Sequence, residues 1–202
     1  MADYGRQRGG DEGTLPLSHL ARRKQIFFAC NCCRQIWNLI PEQSKIAVEA
    51  AEKYADGLIS KEEMVTVYNA SCRTPIRTAR NAAAVSSAWA AAATALWDAP
   101  WSAAALTVTH VRRLSNVPEL QIFNDLHNPT EYRPTQAVLA YDSCLALRLA
   151  QGIYEDRAFD RLPILADALE EAGCVDQNLL DHCRTERHYC GCWALDLILG
   201  KK

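Results

Sequence analysis

The chain has 202 residues, 49% of them hydrophobic and 23% charged, with a formal net charge of −2. That length and apolar content suffice for a substantial core, and the near-neutral balance leaves no polybasic footprint of the kind that drives phosphate-backbone binding, which argues against a nucleic-acid partner. No apolar run reaches the roughly 18 residues of a membrane span and the N-terminus carries no apolar signal core, so no membrane partner and a cytoplasmic location are expected.

Residues 1–15 are polar and Gly-rich with no apolar period, and are expected to form a disordered tail ahead of a single helical domain over 16–202. Ser18 to Ile40 reads as one long helix starting at a Ser18 N-cap. Ile26, Ala29, Cys33, Ile36 and Ile40 recur at helical spacing, Cys30 and Trp37 widen the stripe, Cys32 lies to one side, and Pro41 closes the helix. Ser44 to Ala55 follows as a second helix, with Gly57 as its left-handed end. Ser60 and Glu63 form a capping box for a third helix, to about Cys72.

Thr74 and Pro75 suit the N-cap and first position of a fourth helix. That helix runs through the alanine-rich NAAAVSSAWAAAATALW, with Trp89 and Trp97 supplying bulk and Pro100 interrupting it. Its alanine face suits either its own core or a second copy of the chain, so homo-oligomerisation stays open. Ser102 to Leu114, Glu119 to Leu126 and Thr135 to Gln151 are further helices, with Cys144 read as core. Tyr154 to Arg161 is a charged connector. Leu162 to Ala172 ends at Gly173, Asp176 caps Gln177 to Arg184, and Cys192 to Leu199 is the last helix, ended by Gly200. No alternating strand pattern persists. The expected fold is all-α, an irregular helical bundle of roughly eight to ten helices.

Nine cysteines and five histidines are present, and Cys174, His182, Cys183, His188, Cys190 and Cys192 crowd into one short stretch. Thiolate and imidazole are preferred zinc donors, and four are needed for a closed tetrahedral site. His188 and Cys192 are four apart and share a face if the backbone is helical. His182 and Cys183 are adjacent, so on a helix they diverge by about 100° and do not serve one ion together. The candidate ligands are Cys183, His188 and Cys192, with a fourth from Cys190 or from the first helix, Cys33 or Cys32. A metal-free, packed cysteine cluster is the competing reading. There is no H-E-x-x-H, no glycine-rich phosphate loop and no G-x-S-x-G, so no catalytic residue is assigned. Cys32 and Cys33 beside Arg34 suit a reactive thiol only if they escape burial.

The segments ACNCCRQIW, AVEAAEKYADG, LQIFNDLHNP, IYEDRAFDRLPILADALEEAGC and LLDHCR through GCWALDLILGK resemble a family of uncharacterised bacterial helical proteins, from about Leu20 to the C-terminus. The resemblance places its cysteine and histidine pattern on Cys32, Cys33, Cys174, His182, Cys183, His188 and Cys192, without Cys190 or Cys30. It implies a fourth ligand from Cys33 or Cys174, and it implies no activity. The resulting expectation is a non-enzymatic helical domain that binds another protein, stabilised by a structural zinc site on Cys183, His188, Cys192 and Cys33. A thiol- or metal-responsive sensor is the alternative, followed by a metal-dependent enzyme.

Overall fold

The computed structural model describes residues 15–73, 79–96, 98 and 100–201. Expectations for the N-terminal tail, for the Thr74–Pro75 helix start and for Trp97 lie outside the described residues. Within them the chain forms ten α-helices and no strand, as the absence of alternating patterns predicts.

The predicted first helix is three pieces: a 3-10 turn at Leu17–His19, α1 over Arg22–Arg34, and a second 3-10 turn at Trp37–Leu39. Ala21, not Ser18, is the residue ahead of α1. α2 spans Glu42–Ala55 and turns through Gly57, whose φ of +70° suits a residue without Cβ. The Ser60–Glu63 capping box is present with both of its hydrogen bonds, and α3 covers Lys61–Ser71.

α4 (Ala79–Thr94) and α5 (Pro100–Val111) form a hairpin, and Pro100 opens α5 rather than breaking α4. Ala84, Ala88, Ala91, Ala92 and Ala95 of this segment are buried in one core with α1. Their methyl side chains let α4 sit close to α1, α2 and α5. The alanine-rich face is thus spent inside the molecule. α1 in turn is enclosed by α2, α4, α5 and α6 (Glu119–Leu126), so that Gln25 through Cys33 are all buried, Cys32 included.

α7 runs Gln136–Asp156 behind a Thr135 cap, but Tyr141 is extended and Asp142, Ser143 and Cys144 are left-handed, which splits it. Cys144, expected in the core, is half-buried at this break. The second part of α7 packs with α8 (Leu162–Glu171), α9 (Gln177–Cys183) and α10 (Trp193–Leu199) around Ile153, Leu165, Leu169, Leu179 and Ile198. Gly173 and Gly200 sit at φ +88° and +66° past α8 and α10, and the Asp176 side chain accepts from Leu179 N at 2.7 Å.

Two apolar cores result, one from residues 17–126 and one from 138–198. The seam between them is polar. Arg23 of α1 reaches Asp56 at 2.9 Å, Asp196 at 2.5 Å and the Tyr154 hydroxyl at 2.7 Å, and Lys24 also pairs with Asp196. Arg34 and Arg157 converge on buried Glu52 from opposite sides of the seam, at 2.8 and 2.7 Å. The segment after α9 crosses this seam, since Tyr189 and Cys190 pack on the first core while Cys192 belongs to the second.

Candidate metal centre

α6 is short and faces the first core with Ile122, Phe123 and Leu126. Asp125 lies on the same stripe, three residues after Ile122, and is only 2% exposed. A carboxylate buried at that register requires polar partners. They come from the other side of the seam. His188 Nδ1 lies 2.8 Å and His182 Nε2 3.1 Å from Asp125 Oδ1, while the Tyr189 N–H donates to Oδ2 at 2.8 Å.

His182 is delivered by α9. Leu179, Leu180 and Cys183 of that helix point into the second core. One residue before Cys183, His182 is turned to the seam, where its ring lies 4.7 Å from that of Trp193 and 5.0 Å, edge-on, from that of His188. The chain then loops back. Thr185 Oγ1 donates to His182 O at 2.9 Å and lies 3.1 Å from His188 Nε2.

His188 and Cys192 are brought together by a turn rather than a helix. Cys192 N donates to Tyr189 O at 3.0 Å, and Gly191 sits at φ +84°. A Cβ there would stand 2.8 Å from Phe27 Cδ2 and 3.0 Å from Leu126 Cδ2, so glycine is required both by the backbone conformation and by the closeness of the first core. Asn31 donates to Cys190 O at 2.9 Å and Lys24 to Gly191 O at 2.5 Å, which fixes the turn on α1.

Cys192 completes the group, with its Sγ 3.3 Å from His182 Nε2 and 3.7 Å from His188 Nδ1. One donor atom from each of Asp125, His182, His188 and Cys192 falls within 4.8 Å of every other, and this group could hold a metal ion. Tetrahedral zinc with bond lengths near 2.0 Å to N or O and 2.3 Å to S has ligand–ligand edges of about 3.3 to 3.6 Å, against 2.8 to 3.7 Å for the four spacings above and a bound of 4.8 Å across the group. Two anionic donors would balance a divalent charge. The outer contacts also fit, because the Thr185 hydroxyl stands ready for the far nitrogen of His188 and the Tyr189 amide holds the far oxygen of Asp125.

The electrostatics are those of a buried, charge-paired cluster. Burial alone pushes the Asp125 carboxyl up. Hydrogen bonds from His182 and His188, and their charge, outweigh it and hold the group below its ordinary value. Burial, followed by the Asp125 charge, pushes the Cys192 thiol well above its usual range, although the Leu195 and Ala194 amides at the start of α10 pull the other way. A metal bound here would have to displace that proton.

Of the residues singled out in the sequence, His188 and Cys192 lie in the four-residue group, and Cys183 and Cys33 do not. Cys183 is fully buried in the second core, and burial pushes its thiol up to about 12. Cys33 is fully buried in the first core beside Ser87, and burial likewise raises it to about 12. Cys32 and Cys174 are core residues too, and Cys190 contributes its backbone carbonyl to Asn31. α1 therefore reaches the C-terminal turn through Lys24 and Asn31 rather than through a thiol. The divergence of adjacent side chains on α9 does operate, with His182 the one that faces the seam. Asp125 and His182 were legible in principle. A carboxylate on the apolar stripe of LQIFNDL is a signal of its own, and Cys183 continues the apolar stripe of Leu179 and Leu180, which leaves His182 to point elsewhere.

Beside the group lies an open cleft of about 680 Å³, lined by Asp125 and His182 together with Asn124, Arg184, Thr185 and Arg187. No family model, no curated protein and no solved structure matches the chain.

Proposed function

We propose that this protein is a helical domain that binds another protein and is held in shape by a structural zinc centre on Asp125, His182, His188 and Cys192. The observation that carries the metal reading is the convergence of four donor atoms of three chemical types, within 4.8 Å, from both sides of the seam. Mixed imidazole and thiolate donors suit zinc. Four protein ligands supply a closed tetrahedron, the arrangement of structural rather than catalytic sites. The side chains of Asp125 and His188 are 2% and 1% exposed, and Cys192 is fully buried. The protein-binding role is supported by exposed apolar side chains on α2, on α3 and on their connection, Ile46, Val65 and Leu58.

Metal content of the protein purified without added metal or chelator tests this. About one zinc per chain is expected, lost in Cys192→Ser and in His182→Ala together with thermal stability. No metal in the native protein would overturn the zinc centre and leave a hydrogen-bonded Asp–His–His–Cys cluster.

The cleft beside Asp125 and His182 favours a second reading, a metal-responsive regulator. His182 is 15% exposed and offers a route for exchange. Rapid loss of the ion to a mild chelator under native conditions would favour the regulator, and retention the static centre.

A further inference from the structure

α3 stands at the edge of the first core. It packs on α2 and, more lightly, on α4, and Met64 and Ser71 are its buried residues. Between α2 and α3 runs a groove of about 470 Å³. Its floor is apolar, made by Ile46, Ala50, Ile59 and Val67. Ile46 is 43% exposed. The rim carries three carboxylates, Glu49, Glu62 and Glu63, and the ammonium of Lys53. Glu63 accepts from Ser60 N at 2.7 Å and Glu49 lies 4.0 Å from Arg34, so Glu62 has its charge least engaged and Glu49 next.

The lining residues on α2 follow i, i+3, i+4, i+7 from Ile46 to Lys53. Those on α3 pair at i, i+4, as Glu62 with Thr66 and Glu63 with Val67. Two facing helical stripes of this kind form a trough that a third helix can fill, ridge into groove.

We infer that the α2–α3 groove is the docking site for a cationic amphipathic helix of a partner protein. This rests on the protein-binding reading above and names the surface and the chemistry of the partner. The partner's apolar residues at i, i+4 and i+7 seat on Ile46, Ala50 and Val67, and its Lys or Arg flanks meet Glu49 and Glu62. The acidic rim selects against the alternatives. It repels an anionic membrane and nucleic acid, and it repels the same face of a second copy.

The test uses the full chain, as isolated, labelled for amide NMR. Two probe peptides of roughly 18 residues carry the same leucine stripe, one flanked by lysine and one by glutamate. The lysine peptide is expected to bind, to shift amides along Ile46, Ala50, Ile59 and Val67, and to weaken as salt is raised. Glu49→Lys combined with Glu62→Lys should weaken it about tenfold, with metal content unchanged. Equal binding of the glutamate peptide, or no binding of either, overturns the inference. Shifts confined to another face also overturn it, while leaving the protein-binding reading standing. Should the double variant fail to fold, the contrast between the two peptides on the unaltered chain decides alone. Metal content is read separately, so the zinc centre stands or falls independently.

Discussion

The molecule has two concentrations of cysteine, and they are put to different use. Cys30, Cys32 and Cys33 on α1 are fully buried among alanines and aliphatic side chains, with Cys30 donating weakly to Val48 O at 3.7 Å. Burial pushes all three thiols up. They behave as small apolar residues. In the C-terminal stretch Cys174 and Cys183 do the same in the second core, whereas Cys192 alone joins two imidazoles and a carboxylate. The density of thiols does not separate the two regions. What does is whether a buried acid and histidines face the sulfur, which here requires an aspartate from the opposite core.

The sharpest way to break that comparison is Asp125→Ala. It removes the one member of the group contributed by the first core and leaves two imidazoles without their anion. Breaking a buried charge pair costs about 3 to 5 kcal/mol. At about 2 to 4 °C per kcal/mol for a chain of this size, thermal denaturation should drop by roughly 10 °C, and bound metal should fall to background in the same preparation. An unchanged melt would mean that the seam is held by its other ion pairs, those of Arg23, Lys24, Arg34 and Arg157. Gly191→Ala comes next. It adds a methyl at φ +84° against Phe27 and Leu126, and a loss of about 2 to 3 kcal/mol in denaturant unfolding is expected, with weakened metal retention because the turn carrying His188 and Cys192 must shift. The mildest is the pair Cys33→Ala and Cys183→Ala. Each removes one sulfur from a packed core, for about 1 to 2 kcal/mol, and each should keep its full metal content. Metal loss in either variant would bring the thiol-rich ligand set back and blur the distinction between the regions.

Much of the helical grammar can be read directly from the sequence. The Ser60–Glu63 box, Asp176 and the residue type at Gly57, Gly173 and Gly200 are local signals with local causes, and the structure contains each of them. The span of α6 is likewise set by Pro118 and its apolar stripe. Breaks are harder. The left-handed residues Asp142 to Cys144 sit in a stretch whose apolar spacing continues unbroken, so periodicity alone passes over them. The site was half legible for the same reason. His188 and Cys192 are close in sequence, whereas the meeting of Asp125 with His188 depends on how two cores dock, and no local pattern encodes it. On α9 the second core takes Cys183 and leaves the seam to His182.

Gly191 and its turn also bear on the order in which the site comes together. His182 and Cys192 are ten positions apart, whereas Asp125 and His188 are separated by 63. Closing the longer loop costs about 1.6 kcal/mol more in chain entropy than closing the shorter one. The His182, His188 and Cys192 trio can thus form as a local hook while the two cores are still apart. On the proposed zinc reading, an ion held by that hook would lack only the aspartate, and Asp125 would add its contact when the two halves dock in register.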